Sequence, residues 1–373
     1  MVIDVYQQLA CHLDNLPGGF PPTGSGVELR ILRHLFSPEE AALALHLTLI
    51  PEEARVVARR AGISVAAATR RLEAMARKGL LFRTEDVPGR PTYMAAQYAI
   101  GIWEFQVNRL TPAFVRDMEA YIPSLKDTAW KRPQLRTIPI GQSLHHEIVV
   151  LPHEKAEALI DHHEKFAVNP CICRRERRLV GEGCGKPEEV CLTFGIVAEF
   201  MIRNGCGRAS DKQEVLAIIR CADESGLVLQ PGNSREVLYM CCCCGCCCAA
   251  LRTIKHLPRP AAWVASPFGV VFNGETCEGC GVCLERCPME AIRRVDGQIA
   301  VDVDRCIGCG LCVSTCPTGS LTLKRKSEAH REKMPRDTVA SLYALGRARG
   351  KLGLGKVFRM QVKSKVDRLL APR

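Results

Sequence analysis

The sequence predicts a multi-domain α+β chain, and three observations carry that prediction. Its 373 residues, 47% hydrophobic and 24% charged, suit two or three domains of ordinary globular balance. Its 22 cysteines fall almost entirely beyond residue 170, with Cys11 alone before it. Its net charge of +11 lies wholly in residues 324–373, which hold 15 basic and 4 acidic residues, so everything before them is neutral overall. These textures divide the chain into four parts: residues 1–122, mostly helical; 123–265, a Cys-rich α+β domain; 266–326, a small module of repeated cysteines; and 327–373, a basic helical tail.

In the first part, residues 27–36 are amphipathic, and Ser37-Pro38-Glu39-Glu40 supplies a cap, a proline at the first helical position and a glutamate three residues after the cap. Pro51-Glu52-Glu53 opens a short helix that Ala61-Gly62 ends, and Ser64 caps a longer one running to Lys78-Gly79. Residues 80–83 and 92–95 read as strands around a turn at residues 86–91. Residues 27–95 thus resemble the winged helix-turn-helix fold. The resemblance implies a second helix, carrying Arg70, Arg71 and Arg77, that would enter a DNA major groove. Ala66-Ala67-Ala68 on that helix offers little base-reading chemistry, and no basic excess precedes residue 324. A role in protein docking or homodimerisation therefore ranks above DNA binding. Residues 103–121 are expected to form a closing helix and 123–139 a linker.

The second part is expected to begin with a strand at residues 147–151 and a helix at 153–165, with later helices near 195–204 and 210–225. No leader pattern and no apolar run of spanning length is present, so the expectation is a soluble cytoplasmic protein with no transmembrane segment. In a reducing compartment, cysteine usage of this density points to metal and not to disulfides.

The third part carries the strongest signal. Cys277-x-x-Cys280-x-x-Cys283-x-x-x-Cys287-Pro288 is repeated as Cys306-x-x-Cys309-x-x-Cys312-x-x-x-Cys316-Pro317. A cubane needs four thiolates at tetrahedral corners; three closely spaced cysteines wrap one cluster, and the fourth, before proline, reaches the other. One [4Fe-4S] cluster is then expected on Cys277, Cys280, Cys283 and Cys316, and a second on Cys306, Cys309, Cys312 and Cys287. Gly279, Gly281, Gly308 and Gly310 let backbone N–H groups approach the sulfides, and Asp296-Gly297 centres a hairpin between the halves. Residues 268–272 and 320–323 would supply the other strand pair. About sixty residues resemble the two-cluster [4Fe-4S] ferredoxin family, which implies one-electron transfer at low potential. Zinc has no sensible tetrahedral partition of these eight cysteines.

Upstream, Cys171, Cys173, Cys184 and Cys191 match the ligand count of a third [4Fe-4S] cluster, with Arg174 and Arg175 set to face its negative charge. Zinc on the same four ligands is the alternative. Cys241-Cys242-Cys243-Cys244-Gly245-Cys246-Cys247-Cys248 places seven cysteines in eight positions. Neighbours in an extended segment face opposite ways, so one cubane cannot use all seven. A further cluster, a noncubane cluster or a reactive thiol set are the readings, with Cys206 and Cys221 as candidate fourth ligands. His145, His146, His153, His162 and His163 lie nearby without ligand spacing. The whole order of segments resembles a multi-domain 4Fe-4S protein family of anaerobic bacteria.

Three functions are compatible with these motifs. The favoured one is an electron carrier between redox partners, docked through an acidic partner surface near Lys324-Arg325-Lys326. No phosphate-binding glycine loop, dinucleotide fingerprint or serine elbow accompanies the cysteines. The second is a reductase whose active site is an unusual cluster at the Cys241–Cys248 run, and the third a redox-sensing DNA-binding regulator.

Overall fold

The computed structural model describes residues 4–144, 150–151, 154–327 and 334–372 of a chain that divides into two compact units. One contains residues up to Arg132, Phe200–Cys206 and the segment from Leu342 onward; the other contains Pro133–Glu199 and Gly207–Ser341. The expected strand at 147–151 lies largely outside the described residues, as do His145, His146 and His153.

The N-terminal unit begins with α1 (Val5–Asp14), α2 (Val27–Leu35) and α3 (Pro38–Ala44). Ser37 and Glu40 form the reciprocal cap read from their spacing, with Glu40 N–H on Ser37 Oγ at 3.2 Å and Ser37 N–H on Glu40 Oε2 at 2.9 Å. Strand β1 (Glu52–Glu53) leads into α4 (Ala54–Ala61), and Ser64 caps α5 (Val65–Arg77) through Ala67 N–H. Strands β2 (Phe82–Val87) and β3 (Arg90–Met94) complete an antiparallel sheet in the order β1-β3-β2. The turn between them shrinks from the expected six residues to Pro88-Gly89, because the strands keep pairing out to Val87 opposite Arg90. Val56, Val57, Leu72, Met75 and Leu81 are fully buried beneath it.

The single helix expected at 103–121 is instead a short 3-10 turn at Glu104–Gln106 followed by α6 (Pro112–Tyr121). Proline cannot continue a helix from behind, and Thr111 starts a new one by accepting the N–H of Phe114.

In the second unit α7 (Ala156–Ile160), β4 (Phe166–Pro170), α8 (Ile172–Leu179), β5 (Glu189–Phe194), the first five residues of α9 (Gly195–Arg203), β6 (Arg208–Ser210), α10 (Lys212–Glu224), β7 (Val228–Pro231), β8 (Tyr239–Cys243) and α11 (Ala249–Lys255) follow one another. Their five strands form one antiparallel sheet in the order β6-β4-β5-β8-β7. Val168, Leu192, Leu229, Met240 and Leu251 lie at the centre of its core. The second half of the expected linker is part of this unit: Arg136 N–H bonds to Pro231 O at 3.0 Å and Ile138 N–H to Leu229 O at 3.2 Å. The buried Arg136 guanidinium donates to the carbonyls of Gly232 and Ser234, which ties the segment down.

The same unit continues through β9 (Phe268–Phe272), α12 (Val282–Arg286), the hairpin β10 (Ile292–Val295) and β11 (Gln298–Val301), and β12 (Leu321–Arg325). Strands β9 and β12 pair antiparallel, and the hairpin turns through Asp296 and Gly297, both at positive φ. The basic C-terminal segment forms α13 (Thr338–Ala348) and α14 (Leu354–Leu370). It is no loose tail: Arg349 and Lys351 pair with Asp14 at 2.8 and 2.7 Å, and Asp367 pairs with Arg59 and Arg60 at 2.7 and 2.5 Å, all within the N-terminal unit. No helix among the described residues is long and apolar enough to cross a membrane.

Candidate metal centres

Thiols gather in the second unit at the junctions of its sheet. Strands β5 and β8 are neighbours, and their register puts Cys191 opposite Cys241. Side chains alternate along β8, so Cys241 and Cys243 share one face while Cys242, 2% exposed, points into the opposite core. At the end of β4, Cys171 precedes α8 and Cys173 lies in its first turn; past β8, Cys248 precedes α11. These six side chains form a continuous path of sulfur contacts, Cys171 to Cys173 to Cys248 to Cys243 to Cys241 to Cys191. Hydrogen bonds from Cys191 and Cys243 hold the Cys241 thiol well below its ordinary value, and those from Cys173 and Cys243 do the same for Cys248.

Cys184 leaves the set expected from the sequence. Its Sγ lies 4.0 Å from that of Cys244 and 3.6 Å from that of Cys247, which is 3.9 Å from Cys246. The loop after α8 delivers Cys184, and the turn after β8 delivers the other three. Burial pushes the Cys184 thiol up, but the backbone N–H of Lys186 and the neighbouring thiols bring it down to about 7. Cys171, Cys173, Cys184 and Cys191 therefore do not converge on one point. Cys206 joins neither set: it belongs to the N-terminal unit, its Sγ 3.4 Å from Phe105 O. Cys221 lies 3.9 Å from Ser225 Oγ on α10.

One cation serves both sets. Arg174 is 1% exposed and donates from Nη2 to Cys242 O at 2.9 Å, while its Nε and Nη1 have no hydrogen-bond partner among the described residues. Burial weakens its charge, and the nearby sulfurs of Cys171, Cys244, Cys243 and Cys184 more than restore it. A buried guanidinium with Nε and Nη1 still unpartnered among thiols fits a bound anionic metal–thiolate group, which would give those two donors an anionic neighbour. The sequence position beside Cys173 was the signal that could find it.

In the repeated module, Cys287, Cys306, Cys309 and Cys312 line a single cavity with Ile307 and Leu311. Burial pushes the thiols of Cys309, Cys312 and Cys287 up, and Ala291 N–H donates to Cys287 Sγ at 3.2 Å. Cys283 has Cys280, Cys316 and Cys277 as its charged neighbours, the first repeat together with the last cysteine of the second. Each cysteine triplet thus has the Cys-Pro cysteine of the other repeat as a neighbour. Gly308, at positive φ, lies so close to Phe268 O that a Cβ would collide with it, which explains a glycine there. These sets fit cubanes: thiols in an apolar cavity, costly as free thiolates, that iron would ionise and hold. Residues 269–317 match the family described as a 4Fe-4S dicluster domain.

This segment is a ferredoxin-type dicluster domain. Comparison of the chain with curated proteins finds no match. The dicluster domain is packed on the Cys-rich sheet. Gly245, in the middle of the cysteine run, lies against the backbone of Pro288, the residue after Cys287, with no room for a Cβ. Ile140 N–H bonds to Cys309 O at 3.2 Å, Arg286 holds Asp223 at 3.2 Å, and Cys309, Ile307 and Leu311 share the core of the sheet. Sequence reasoning passed over Gly245; a lone glycine within an unbroken cysteine run was its signal.

Of the three basic residues expected to steer a partner, Arg325 is engaged with Glu154 and lies over the Phe268 ring, 4.7 Å from its centroid. Lys326 is half-buried near Cys306, and Lys324 stays exposed.

Proposed function

We propose that this chain is a multi-cluster iron–sulfur protein that passes single low-potential electrons between redox partners. Two [4Fe-4S] clusters of the dicluster domain would be held by Cys277, Cys280, Cys283 and Cys316, and by Cys306, Cys309, Cys312 and Cys287. A further centre upstream would use thiols of the path from Cys171 to Cys191. The observation that carries this reading is the contact of Gly245 with Pro288. It sets the upstream cysteines within a few residues of Cys287, a thiol lining the dicluster cavity, as a relay requires. When bound, the clusters supply the one-electron chemistry. The chain's residues separate them from water with Ile307, Leu311 and Met289, and offset their charge with Arg174.

The strand order β1-β3-β2 and the α4-turn-α5 arrangement support a winged-helix reading of the N-terminal unit. Arg70, Arg71 and Arg77 are exposed on α5. Docking of a redox partner is the role proposed for this unit, since so few bases could be read from a helix that begins with alanines. In the dicluster domain, Lys324 is left to meet an acidic partner surface.

The test is iron and acid-labile sulfide per chain on anaerobically purified protein, with EPR of the reduced form. About 8 iron are expected from the dicluster domain alone and about 12 with one upstream cubane. A total near 8, with every signal lost when Cys277 and Cys306 are replaced, would remove the upstream redox centre from the relay.

A further inference from the structure

The four sulfurs of Cys184, Cys244, Cys246 and Cys247 all lie within 4.8 Å of one another. Among the described residues no other group of three or more ligand atoms converges so closely, the eight dicluster cysteines included. That difference has a geometric meaning. Around a single tetrahedral ion with metal–sulfur bonds of about 2.3 Å, neighbouring sulfurs stand about 3.8 Å apart. Around a cubane the Fe₄S₄ core stands between the thiolates and holds them further off. The observed contacts of 3.6, 3.9 and 4.0 Å are those of the single ion.

The local chain is built for it. Cys244-Gly245-Cys246-Cys247 is a C-x-x-C knuckle with one additional cysteine inside it. The Cys247 N–H points at the Cys244 sulfur, and the Lys186 N–H points at that of Cys184, so two of the four sulfurs are met by backbone donors before any metal arrives. Four thiolates with a divalent ion leave two negative charges, and the buried cation of Arg174 interacts electrostatically with two of the four, Cys184 and Cys244. Cys246 is exposed, which leaves an entry path.

We propose that Cys184, Cys244, Cys246 and Cys247 bind one structural Zn²⁺. With four thiolates the ion has no open position, so it takes no part in electron transfer. It ties the loop after α8 to the turn after β8, and that turn carries Gly245 against Pro288. The site goes beyond the electron-carrier reading and stands or falls apart from it.

The test is metal content of the anaerobically purified full chain and of its Cys184→Ser and Cys246→Ser variants, with the reduced EPR spectrum recorded on each. Expected is about one zinc per chain in the parent, near none in the variants, and unchanged iron and acid-labile sulfide. Loss of about four iron with sulfide in a variant would overturn the proposal by making these residues cluster ligands. Loss of a single iron in place of zinc would overturn it as well. X-ray absorption at the zinc edge of the parent needs no variant to fold: four sulfurs at about 2.3 Å are expected, and nitrogen or oxygen neighbours would refute the assignment. Were the electron-carrier reading wrong instead, the dicluster EPR signals would be missing while the zinc stayed.

Discussion

The dicluster domain and the cysteine run upstream solve the placing of thiols in opposite ways. Within each repeat of the dicluster domain two or three residues, glycines among them, separate successive cysteines, and the sulfurs of Cys287, Cys306, Cys309 and Cys312 stand back around a cavity. In the run, seven cysteines crowd eight positions, and the backbone sorts them. Strand alternation gives Cys241 and Cys243 to one face and Cys242 to the other, and the turn collects Cys244, Cys246 and Cys247 around the distant Cys184. The lesson is that cysteine number does not fix the size of a centre. The spacing of sulfurs in space does, and secondary structure sets that spacing.

The sharpest way to break the comparison is Cys309→Ala. The variant is expected to lose about four iron and the matching sulfide while the tight four-thiol set is untouched; unchanged iron on analysis would dismiss the cavity as a cluster site. Next in size is Arg174→Ala, which removes the cation shared by the crowded thiols. A loss of about 3–5 kcal/mol in anaerobic denaturant unfolding is expected, together with a more negative midpoint potential upstream, since an electron is then added to a less compensated site. Arg174→Lys should recover part of the potential, and a variant as stable as the parent would show that the guanidinium balances nothing.

Gly245→Ala tests the contact between the two regions. Its Cβ would meet the Pro288 carbonyl, so a cost of about 1–3 kcal/mol and weaker magnetic coupling between centres are expected, whereas Gly185→Ala, in open space, should change neither. Thermal unfolding and EPR of the pair would read the difference.

The smallest effect serves as a control away from both regions. Burial holds the His12 imidazole below its ordinary 6.5, and His46 adds to the shift. The folded N-terminal unit therefore favours neutral His12, while the unfolded chain takes up the proton as pH falls through about 6.5. Stability is full above that pH and declines below it. His12→Gln should flatten this slope in acid unfolding curves and leave iron content unchanged.

Much of this was legible. The dicluster domain was legible because the spacing of three cysteines and a Cys-Pro is imposed by the cluster. The cap at Ser37 and Glu40 and the turn at Asp296-Gly297 followed from local hydrogen bonding and positive φ, which neighbours in sequence decide. Cys184 was misread because its partners lie sixty residues away, and only the pairing of β5 with β8 brings that turn within reach. The basic segment was misread for a related reason: its charges meet Asp14, Arg59 and Arg60, some three hundred residues distant, and sequence shows charge without its answer. Thr111-Pro112 was a stop signal in plain view inside the helix expected at 103–121.

The crossed cysteines of the dicluster domain also constrain how the protein comes into being. Cys277, Cys280 and Cys283 leave the ribosome more than thirty residues before Cys316, yet the fourth corner of their site is empty until Cys316 is made. Cys287 waits in the same way for the triplet that begins at Cys306. On the proposed ligation neither cluster could be closed on a nascent half-domain, so iron and sulfide would have to arrive after both repeats had been made, and both sites would become complete at nearly the same moment.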